Sequence, residues 1–375
     1  MIGPPRILIV TAAFGEGHNS AARNLALALD AMGCITQVAD PCSLGSPQLT
    51  ERVCKAYRLA TNHLPRVWAA IYRSTDRCDF SRPRAPLMGP PEKALAALVT
   101  TFRPDAVVST FPLYPYFLPR IFEKSGKRVP VFTVITDSIE INASWLRCPT
   151  DFWIVTDRYT REKMISNKLP AEKIVETGFP VSPVFESLAP LDPGAPCEPF
   201  RVLYFPTARR AMIGVHSRAM LDASPAVHLT LVLGRNVRLL AARAKEIQKA
   251  YPGRVRLVGW TRRVPQFLST HHLVVGKAGG ATVHEAIAAT CPMLIHHLVP
   301  GQEEGNLRLL ETIGGGRLTE TPTALHTAIL DMTQKNAQPW RAMKQSLIDH
   351  CKKSGAIAAS RFILDHLKNP PISLP

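Results

Sequence analysis

The chain repeats one pattern twice: a short, β-branched apolar segment followed by a segment with helical spacing. The apolar segments are hydrophobic on both faces, which is typical of strands in a parallel sheet covered by helices. The first set lies at 6–11, 35–40, 105–110, 129–135 and 152–155, and the second at 201–206, 228–233, 254–259, 272–275 and 292–297. The pattern therefore predicts an α/β chain with two Rossmann-like halves.

A proline-rich segment separates the two sets of strands. Residues 186–199 contain four prolines and one glycine and show little periodicity, which is typical of a linker. Because 375 residues exceed what one core usually holds, we expect an N-terminal domain over 1–190 and a C-terminal domain over 191–340. The remaining segment, 341–375, has helical spacing and is expected to pack back toward the N-terminal domain.

The charge balance limits the class of partner. The chain has 45 Lys and Arg against 29 Asp and Glu, a net charge of +16, which favours nucleic acid, an anionic membrane surface or a phosphorylated ligand. The eight cysteines form no CxxC pair, so a reducing cytoplasm is expected and neither a zinc knuckle nor a redox motif is indicated. No signal-peptide pattern is present, and no apolar run reaches the ~18 residues of a spanning helix. We therefore expect contact with a membrane only at its surface.

The turn after the first strand reads FGEGHNS and leads into a helical segment. Gly15 and Gly17 permit a tight turn at the carboxyl end of a strand, where sheets of this kind bind ligands. His18 follows at the helix start, and a histidine is suited to act as a general base. Two alternatives remain. One is a dinucleotide turn, in which Ser20 replaces the third glycine and Asp40 would hold a ribose; the other is a purely structural turn.

The segment 276–306 carries the most informative pattern. A strand ends there and Gly279-Gly280 opens a helix, whose first backbone N–H groups favour a diphosphate. Glu285 lies about one and a half turns further along, and its carboxylate suits a ribose diol. The loop before the next helix offers amide and carboxylate groups for sugar hydroxyls, from Gln302, Glu303 and Asn306. The alternative is a glycine turn followed by a solvated polar helix start.

Residues 51–84 combine an apolar stripe with many basic side chains. The stripe has the helical spacing i, i+3, i+4, i+7, i+8 and consists of Leu64, Val67, Trp68, Ile71 and Tyr72. Eight Lys or Arg, Arg66 and Arg73 among them, accompany two Asp in the same segment. A basic amphipathic helix with a tryptophan can lie in an anionic membrane interface. A core-packing helix with a solvated basic face is equally consistent with the pattern.

Three further polar residues follow strand ends. Asp137 could orient His18 or bind an acceptor hydroxyl, or could cap a helix instead. Arg209 and Arg210 follow the first strand of the second half and could counter a diphosphate, or could lie exposed without a ligand. The chain contains no Asp-x-Asp pair, so we expect no metal-bridged diphosphate.

Five segments match a known family in one order: FGEGHNSAA, PDAVVSTFP, VITDS, TGFPVSPVF and GKAGGATVHEAIAATCPMLIHHLVPGQEEGN. The chain resembles the monogalactosyldiacylglycerol synthase and processive diacylglycerol glucosyltransferase group of glycosyltransferase family 28, from about residue 6 to about residue 315. It is more distantly similar to the lipid II-forming transferase MurG. The resemblance implies a GT-B fold, with two Rossmann-like domains facing a central cleft. It also implies a UDP-sugar donor in the C-terminal half and a lipid acceptor in the N-terminal half.

The resemblance also implies roles for single residues. His18 would be the catalytic base, with Asp137 beside it as the second catalytic candidate. Taken with the residue patterns above, the expected donor site consists of Gly17, Arg209, Gly279, Gly280, Thr282, Glu285, Gln302, Glu303 and Asn306. The expected acceptor and membrane site consists of Leu64, Arg66, Trp68, Ile71 and Arg73. The chain departs from the family in two places: FPTARR stands where a small glycine-rich turn is usual, and GKAGG lacks the proline that often precedes the glycine pair.

We therefore expect an inverting glycosyltransferase that moves galactose or glucose from a UDP-hexose to 1,2-diacylglycerol. It would be a cytoplasmic protein held peripherally on the inner face of the membrane by anionic lipids, with no cofactor, no metal and no nucleic acid partner. The alternatives are MurG-like transfer of N-acetylglucosamine to an undecaprenyl-linked acceptor, a UDP-sugar epimerase and a dinucleotide-dependent oxidoreductase. A non-enzymatic protein that binds anionic membranes or nucleic acid is a further alternative.

Overall fold

The computed structural model describes residues 3–76, 88–207, 210–301, 303–350 and 354–368. By its contacts the chain divides into two compact units. The first unit comprises Met1–Pro183, Val299–Gly305 and Ser354–Pro375, and the second comprises Val184–Leu298 and Asn306–Lys353. Within the described residues each unit contains one six-stranded parallel sheet with helices, so the predicted α/β class is confirmed in both halves.

The first unit alternates strands and helices from its start. Its strands are β1 (Arg6–Val10), β2 (Ile35–Ala39), β3 (Ala106–Ser109), β4 (Val131–Val134), β5 (Phe152–Val155) and β6 (Ile174–Glu176). The helices between them are α1 (Glu16–Ala31), α2 (Pro41–Gly45), α3 (Pro47–His63), α4 (Pro65–Thr75), α5 (Gly89–Phe102), α6 (Leu118–Ser125), α7 (Ala143–Leu146) and α8 (Arg158–Ser166). The strand order is β2-β1-β3-β4-β5-β6, with the switch of direction beside β1, where sheets of this type bind ligands.

The central strand β1 explains why this sheet is covered on both faces. Leu8 and Val10 pack into one hydrophobic cluster, and Ile7 and Ile9 pack into another on the opposite face. Since alternate side chains of a strand point to opposite faces, a run with no polar residue requires helices on each side. Helix α1 supplies one of them with Leu25.

The second unit repeats the arrangement. Its strands are β7 (Phe200–Tyr204), β8 (Val227–Val232), β9 (Val255–Val258), β10 (Leu273–Lys277), β11 (Met293–His297) and β12 (Gly316–Leu318). Its helices are α9 (Arg210–Ala223), α10 (Val237–Ala250), α11 (Val264–Thr270), α12 (Gly280–Ala288), α13 (Glu304–Thr312), α14 (Pro322–Thr333) and α15 (Gln338–His350). The order is β12-β11-β10-β7-β8-β9. Every predicted strand is present, and the short edge strands β6 and β12 are additional.

The C-terminal segment, predicted as one block over 341–375, is divided between the two units. Helix α15 packs on the second unit, where Trp340 Nε1 donates to His272 O at 2.6 Å and Lys344 Nζ donates to Thr290 O at 2.7 Å. The following helix, α16 (Gly355–Lys368), joins the first unit. There Ile363 shares the hydrophobic cluster of α1 and β1.

The proline-rich segment 186–199 packs against the second unit. Leu191 N donates to Ser269 O at 2.9 Å, and the guanidinium of Arg341 contacts Pro193 O. No helix among the described residues is long and apolar enough to cross a membrane.

Candidate active site

The turn after β1 places His18 in the first turn of α1, at the carboxyl edge of the first sheet. Gly17 borders open space, because no atom lies within 4 Å of the position that a Cβ would take there. The side chain of Asp40 is fully used by neighbouring groups. Its oxygens accept hydrogen bonds from Ala13 N, Cys42 N, Ser43 N, Ser43 Oγ and Tyr114 Oη. Asp40 is therefore a cap of α2 rather than a residue available to a ribose, which removes the support for a dinucleotide turn.

The ring of His18 is held at one nitrogen. Nδ1 lies 2.7 Å from the carbonyl oxygen of Thr110 and 3.0 Å from Oγ1 of Thr136, just beyond the ends of β3 and β4. A carbonyl oxygen can only accept, so Nδ1 carries the hydrogen and Nε2 keeps its lone pair. The arrangement leaves His18 as a proton acceptor at Nε2.

Burial sets the charge of this histidine. The ring packs against Phe111 at 5.4 Å and Trp145 at 6.0 Å between centroids. Loss of hydration lowers the pKa of His18 to about 4, although the hydrogen bond to Thr110 acts in the opposite direction. At neutral pH the imidazole is therefore uncharged, which is the state a general base requires.

Asp137 lies beside the same ring pair but does not bond to His18. Trp145 Nε1 donates to Oδ2 of Asp137 at 2.9 Å, whereas Nδ1 of His18 is bonded to Thr110 and Thr136. Burial raises the pKa of the Asp137 carboxyl to about 6, against the effect of the Trp145 hydrogen bond. Its connection with His18 runs through the indole of Trp145. The helix that follows is capped by Asn142.

The raised pKa of Asp137 predicts a stability gain for Asp137→Asn at alkaline pH. A carboxyl whose folded pKa exceeds its unfolded value of 3.8 stabilises the fold below the unfolded pKa and loses this contribution as pH rises through about 6. Asn keeps an acceptor for Trp145 and cannot ionise. We expect the variant to exceed the wild type in free energy of unfolding by about 1–3 kcal/mol at pH 8 and by about half of that at pH 5. Urea unfolding at both values measures the difference, and a less stable variant at pH 8 would contradict the assignment.

A cavity of about 280 Å³ adjoins His18 and Asp137. Its walls are mainly aromatic and apolar and include Phe14, Tyr57, Trp68, Tyr72, Phe111 and Trp145. Helices α3 and α4 form one wall, since they carry Tyr57, Trp68 and Tyr72. The cavity can therefore hold a hydrophobic molecule with a polar group close to His18.

Helix α4 divides the predicted stripe between two environments. Trp68 and Tyr72 line the cavity, whereas Leu64, Val67 and Ile71 are 54%, 51% and 47% exposed. The single apolar face predicted from the spacing is thus an inner aromatic face and an outer aliphatic face. Sequence periodicity alone could not separate them, because both are apolar.

Exposed aliphatic side chains also occur on α3. Val53 and Leu59 are exposed there, and the two helices carry the exposed basic side chains Arg52, Lys55, Arg58 and Arg73. We call the set Val53, Leu59, Leu64, Val67 and Ile71 the outer apolar patch. The side chain of Arg66 lies outside the described residues.

Helix α4 is tied to the rim of the sheet at its C-terminal end. Asn142 Nδ2 donates to Thr75 Oγ1 at 2.9 Å, and Ala143 N donates to Asp76 Oδ1 at 2.9 Å. These bonds join α4 to α7, which carries Trp145. The cavity wall and the partner of Asp137 are therefore held by one network.

In the second unit, α12 begins with the glycine pair predicted to hold a diphosphate. Gly279 is its N-cap and has no side chain that could cap the helix. Thr282 and Glu285 follow on the same face, one turn apart, and both are partly exposed. An uncapped helix start of this kind favours an anion.

Asn306 lies next to this helix start. Its Nδ2 donates to Ala278 O at 3.1 Å, whereas its Oδ1 is buried and has no hydrogen-bond partner among the described residues. Asn306 therefore lies beside the residue that precedes the glycine pair. The unused amide oxygen can accept a hydrogen bond from a hydroxyl.

Glu303 occupies a different environment. Its Oε2 accepts from Val299 N at 3.0 Å, so part of the carboxylate stabilises its own loop. The loop Val299–Gly305 belongs to the first unit. A Cβ at Gly305 would come within 1.8 Å of Ser138 O, and one at Gly301 within 3.1 Å of the ring of Tyr72. The predicted set Glu303 and Asn306 is thus divided between the units, and Gln302 and Arg209 lie outside the described residues.

Comparison with known proteins tests the resemblance. The model of the monogalactosyldiacylglycerol (MGDG) synthase family matches residues 18–181, the part with His18, Asp137 and the cavity. The processive diacylglycerol beta-glucosyltransferase of Bacillus thuringiensis (strain Al Hakam) is 24% identical over 356 residues, covering 92% of this chain and 90% of that protein. The predicted resemblance to the MGDG synthase family is confirmed. The enzyme of the same name from Bacillus cytotoxicus is 26% identical over 321 residues, 84% of this chain and 82% of that one.

Solved structures show the fold that accompanies this family resemblance. MurG of Acinetobacter baumannii aligns with a TM-score of 0.61 and 16% identity, over 96% of this chain and 100% of that chain. A UDP-GlcNAc 2-epimerase from Neisseria meningitidis aligns with a TM-score of 0.58 and 13% identity, over 97% and 99%. The two Rossmann-like units therefore have the GT-B fold. The MGDG synthase match and its relatives support a glycosyltransferase of glycolipid synthesis.

Proposed function

We propose that the protein transfers a hexose from a UDP-sugar to the hydroxyl of diacylglycerol, with inversion at the anomeric carbon. The observation that carries the proposal is a base at the edge of an apolar cavity. Nε2 of His18 is kept unprotonated by the bond from Nδ1 to Thr110, and the adjoining walls are aromatic. A lipid alcohol combines the two properties that such a site requires, an apolar body and one reactive hydroxyl.

In the proposed reaction, Nε2 of His18 takes the hydroxyl proton while the acceptor oxygen forms a bond to the anomeric carbon. The bond between that carbon and the UDP oxygen breaks, and UDP leaves with the electron pair. The imidazolium that results keeps its hydrogen bond to Thr110 O. The low pKa of His18 means that formation of this cation is unfavourable. The negative charge that develops on the diphosphate would offset part of that cost and so assist the proton transfer.

The donor would be held by the second unit. The uncapped start of α12 at Gly279 and Gly280 suits the diphosphate. The carboxylate of Glu285, on the same helix, suits the ribose diol, and the unused Oδ1 of Asn306 suits a donor hydroxyl. The leaving group would then be stabilised by backbone N–H groups, without a metal.

Contact with the membrane would come from the outer apolar patch. Five exposed aliphatic side chains lie on neighbouring helices among basic residues, a combination that binds anionic bilayer surfaces. The inner faces of the same two helices line the cavity. Diacylglycerol resides in the bilayer, so a cavity wall in contact with the membrane would shorten its path to His18. We infer a peripheral protein on a cytoplasmic membrane face.

The test is a product assay with the purified full-length protein. The protein is incubated with anionic vesicles that contain diacylglycerol and with UDP-galactose, UDP-glucose or UDP-N-acetylglucosamine. The masses of the lipid products are then measured by mass spectrometry. We expect a hexosyldiacylglycerol from one of the first two donors. A parallel reaction with an undecaprenyl-linked acceptor covers the MurG-like alternative, and a reaction without lipid covers epimerisation. Product in either of those arms alone would refute the proposal.

A further inference from the structure

Two buried hydrogen-bond donors lie on the inner face of α4. Trp68 Nε1 and Tyr72 Oη are shielded from solvent, and neither has a hydrogen-bond partner among the described residues. A buried donor left unpaired is destabilising, so two on neighbouring turns of one helix call for an explanation. Both side chains belong to the wall of the cavity that adjoins His18.

Trp68 is held in place by packing, and the phenol of Tyr72 stays protonated. The ring of Tyr57 packs edge-to-face on Trp68 with centroids 4.8 Å apart. Burial raises the pKa of the Tyr72 phenol well above its usual value, and the nearby charges of Asp137 and Asp76 raise it further. The phenol is therefore neutral at any physiological pH and offers its O–H.

The spacing of the donors restricts what can satisfy them. Residues four apart on a helix have their Cβ atoms about 5–6 Å from each other on the same face. A ligand that satisfies both must present two neighbouring acceptor oxygens within an apolar body, as well as the hydroxyl that reaches His18. The two ester carbonyls of a diacylglycerol, on adjacent glycerol carbons, have this arrangement.

We propose that Tyr72 Oη and Trp68 Nε1 donate hydrogen bonds to the two ester carbonyls of the acceptor, so that the enzyme selects ester-linked over ether-linked glycerolipids. This inference rests on the proposed function. An ether-linked glycerolipid has the same hydroxyl and the same apolar chains but lacks both carbonyl acceptors. Binding of the ether-linked lipid would therefore give the two donors no acceptor for a hydrogen bond.

The experiment compares two acceptors and one conservative variant. Initial rates are measured with dioleoylglycerol and with the dioleyl diether of glycerol, in mixed micelles of one composition and with the donor that gives product. We expect the wild type to favour the diester in kcat/KM by about 10- to 100-fold, the effect of two hydrogen bonds. Tyr72→Phe should reduce this preference by about tenfold, because the rate with the diester falls whereas the diether makes no bond to the phenol.

The variant separates recognition from structure. Tyr72→Phe removes only an oxygen that has no hydrogen-bond partner in the part of the chain that the structure describes, so its melting temperature should equal or exceed that of the wild type. Tyr159→Phe, on α8 and outside the cavity lining, is the matched control and should retain the full preference. Trp68→Phe provides a second, independent loss of preference.

Three outcomes would overturn the inference. Equal kcat/KM for both acceptors in the wild type would mean that the two donors are satisfied by something other than the esters, such as a bound water. An equal loss with both acceptors in Tyr72→Phe would indicate a structural role for the phenol. If neither acceptor gave any product, the proposed function would be refuted as well. The first two outcomes leave the proposed function intact.

Discussion

His18→Asn is expected to lower kcat for glycosyl transfer by about 10²–10⁴-fold, the usual contribution of a positioned general base. The Asn amide can occupy the place of Nδ1 and keep the hydrogen bond to Thr110 O, which is 2.7 Å long in the wild type. The substitution therefore removes Nε2 and retains the contact that orients the side chain. Initial rates at saturating donor and acceptor measure the effect.

His18→Ala and a histidine elsewhere provide the comparison. His18→Ala loses both nitrogens and should be at least as slow as His18→Asn. His326→Ala, on α14 in the second unit, should retain wild-type kcat, and melting temperatures establish that all variants are folded. A His18→Asn enzyme within tenfold of the wild type would show that the proton is taken by another group or by water.

Loss of membrane binding is the second large effect, and it concerns the outer apolar patch. We expect the triple variant Leu64→Ser, Val67→Ser, Ile71→Ser to bind anionic vesicles about 30- to 1,000-fold more weakly in co-sedimentation. Full burial of such a side chain contributes about 1.5–3 kcal/mol, and these three are about half exposed. About 2–4 kcal/mol of binding free energy should therefore be lost.

A matched triple variant tests whether vesicle binding depends on where the aliphatic side chains lie or only on how many the protein exposes. Leu27→Ser, Val237→Ser, Leu239→Ser removes aliphatic side chains that are 58%, 40% and 42% exposed elsewhere on the molecule, and its vesicle binding should stay within twofold of the wild type. Raised salt should weaken wild-type binding, because the basic residues around the patch contribute about 1 kcal/mol each near an anionic surface. Equal losses in the two triple variants would rule out a specific membrane-binding face.

The fold was largely predictable because its strands are buried on both faces. Residues 7–10 of β1, for example, are all apolar and buried, and the segment stands between turn signals. The edge strands β6 and β12 are three residues long, too short for any periodicity to show. Assignment of α15 and α16 to different units depends on tertiary contacts such as Lys344 to Thr290, which helical spacing does not encode.

The site was predictable as a set of positions but not as a set of contacts. The glycine turn predicted where His18 would lie, because it follows a strand end. Its partners Thr110 and Thr136 are 92 and 118 residues away in sequence, and only the strand order brings them to one nitrogen. The indole between His18 and Asp137 was missed for the same reason, although Trp145 stands near Asp137 in the chain. An aromatic residue so close to a predicted catalytic carboxylate was the available signal.

The path of the chain between the units has a consequence for protein engineering. The boundaries fall between Pro183 and Val184, Leu298 and Val299, Gly305 and Asn306, and Lys353 and Ser354. A chimera that exchanges the second unit for that of a relative should therefore transplant two pieces, 184–298 and 306–353, and keep the seven-residue loop with the recipient. A single cut in the proline-rich segment would carry Gly305 away from the backbone oxygen of Ser138, where only a glycine fits. Exchange of the second unit is thus a problem of matching four splice points rather than one.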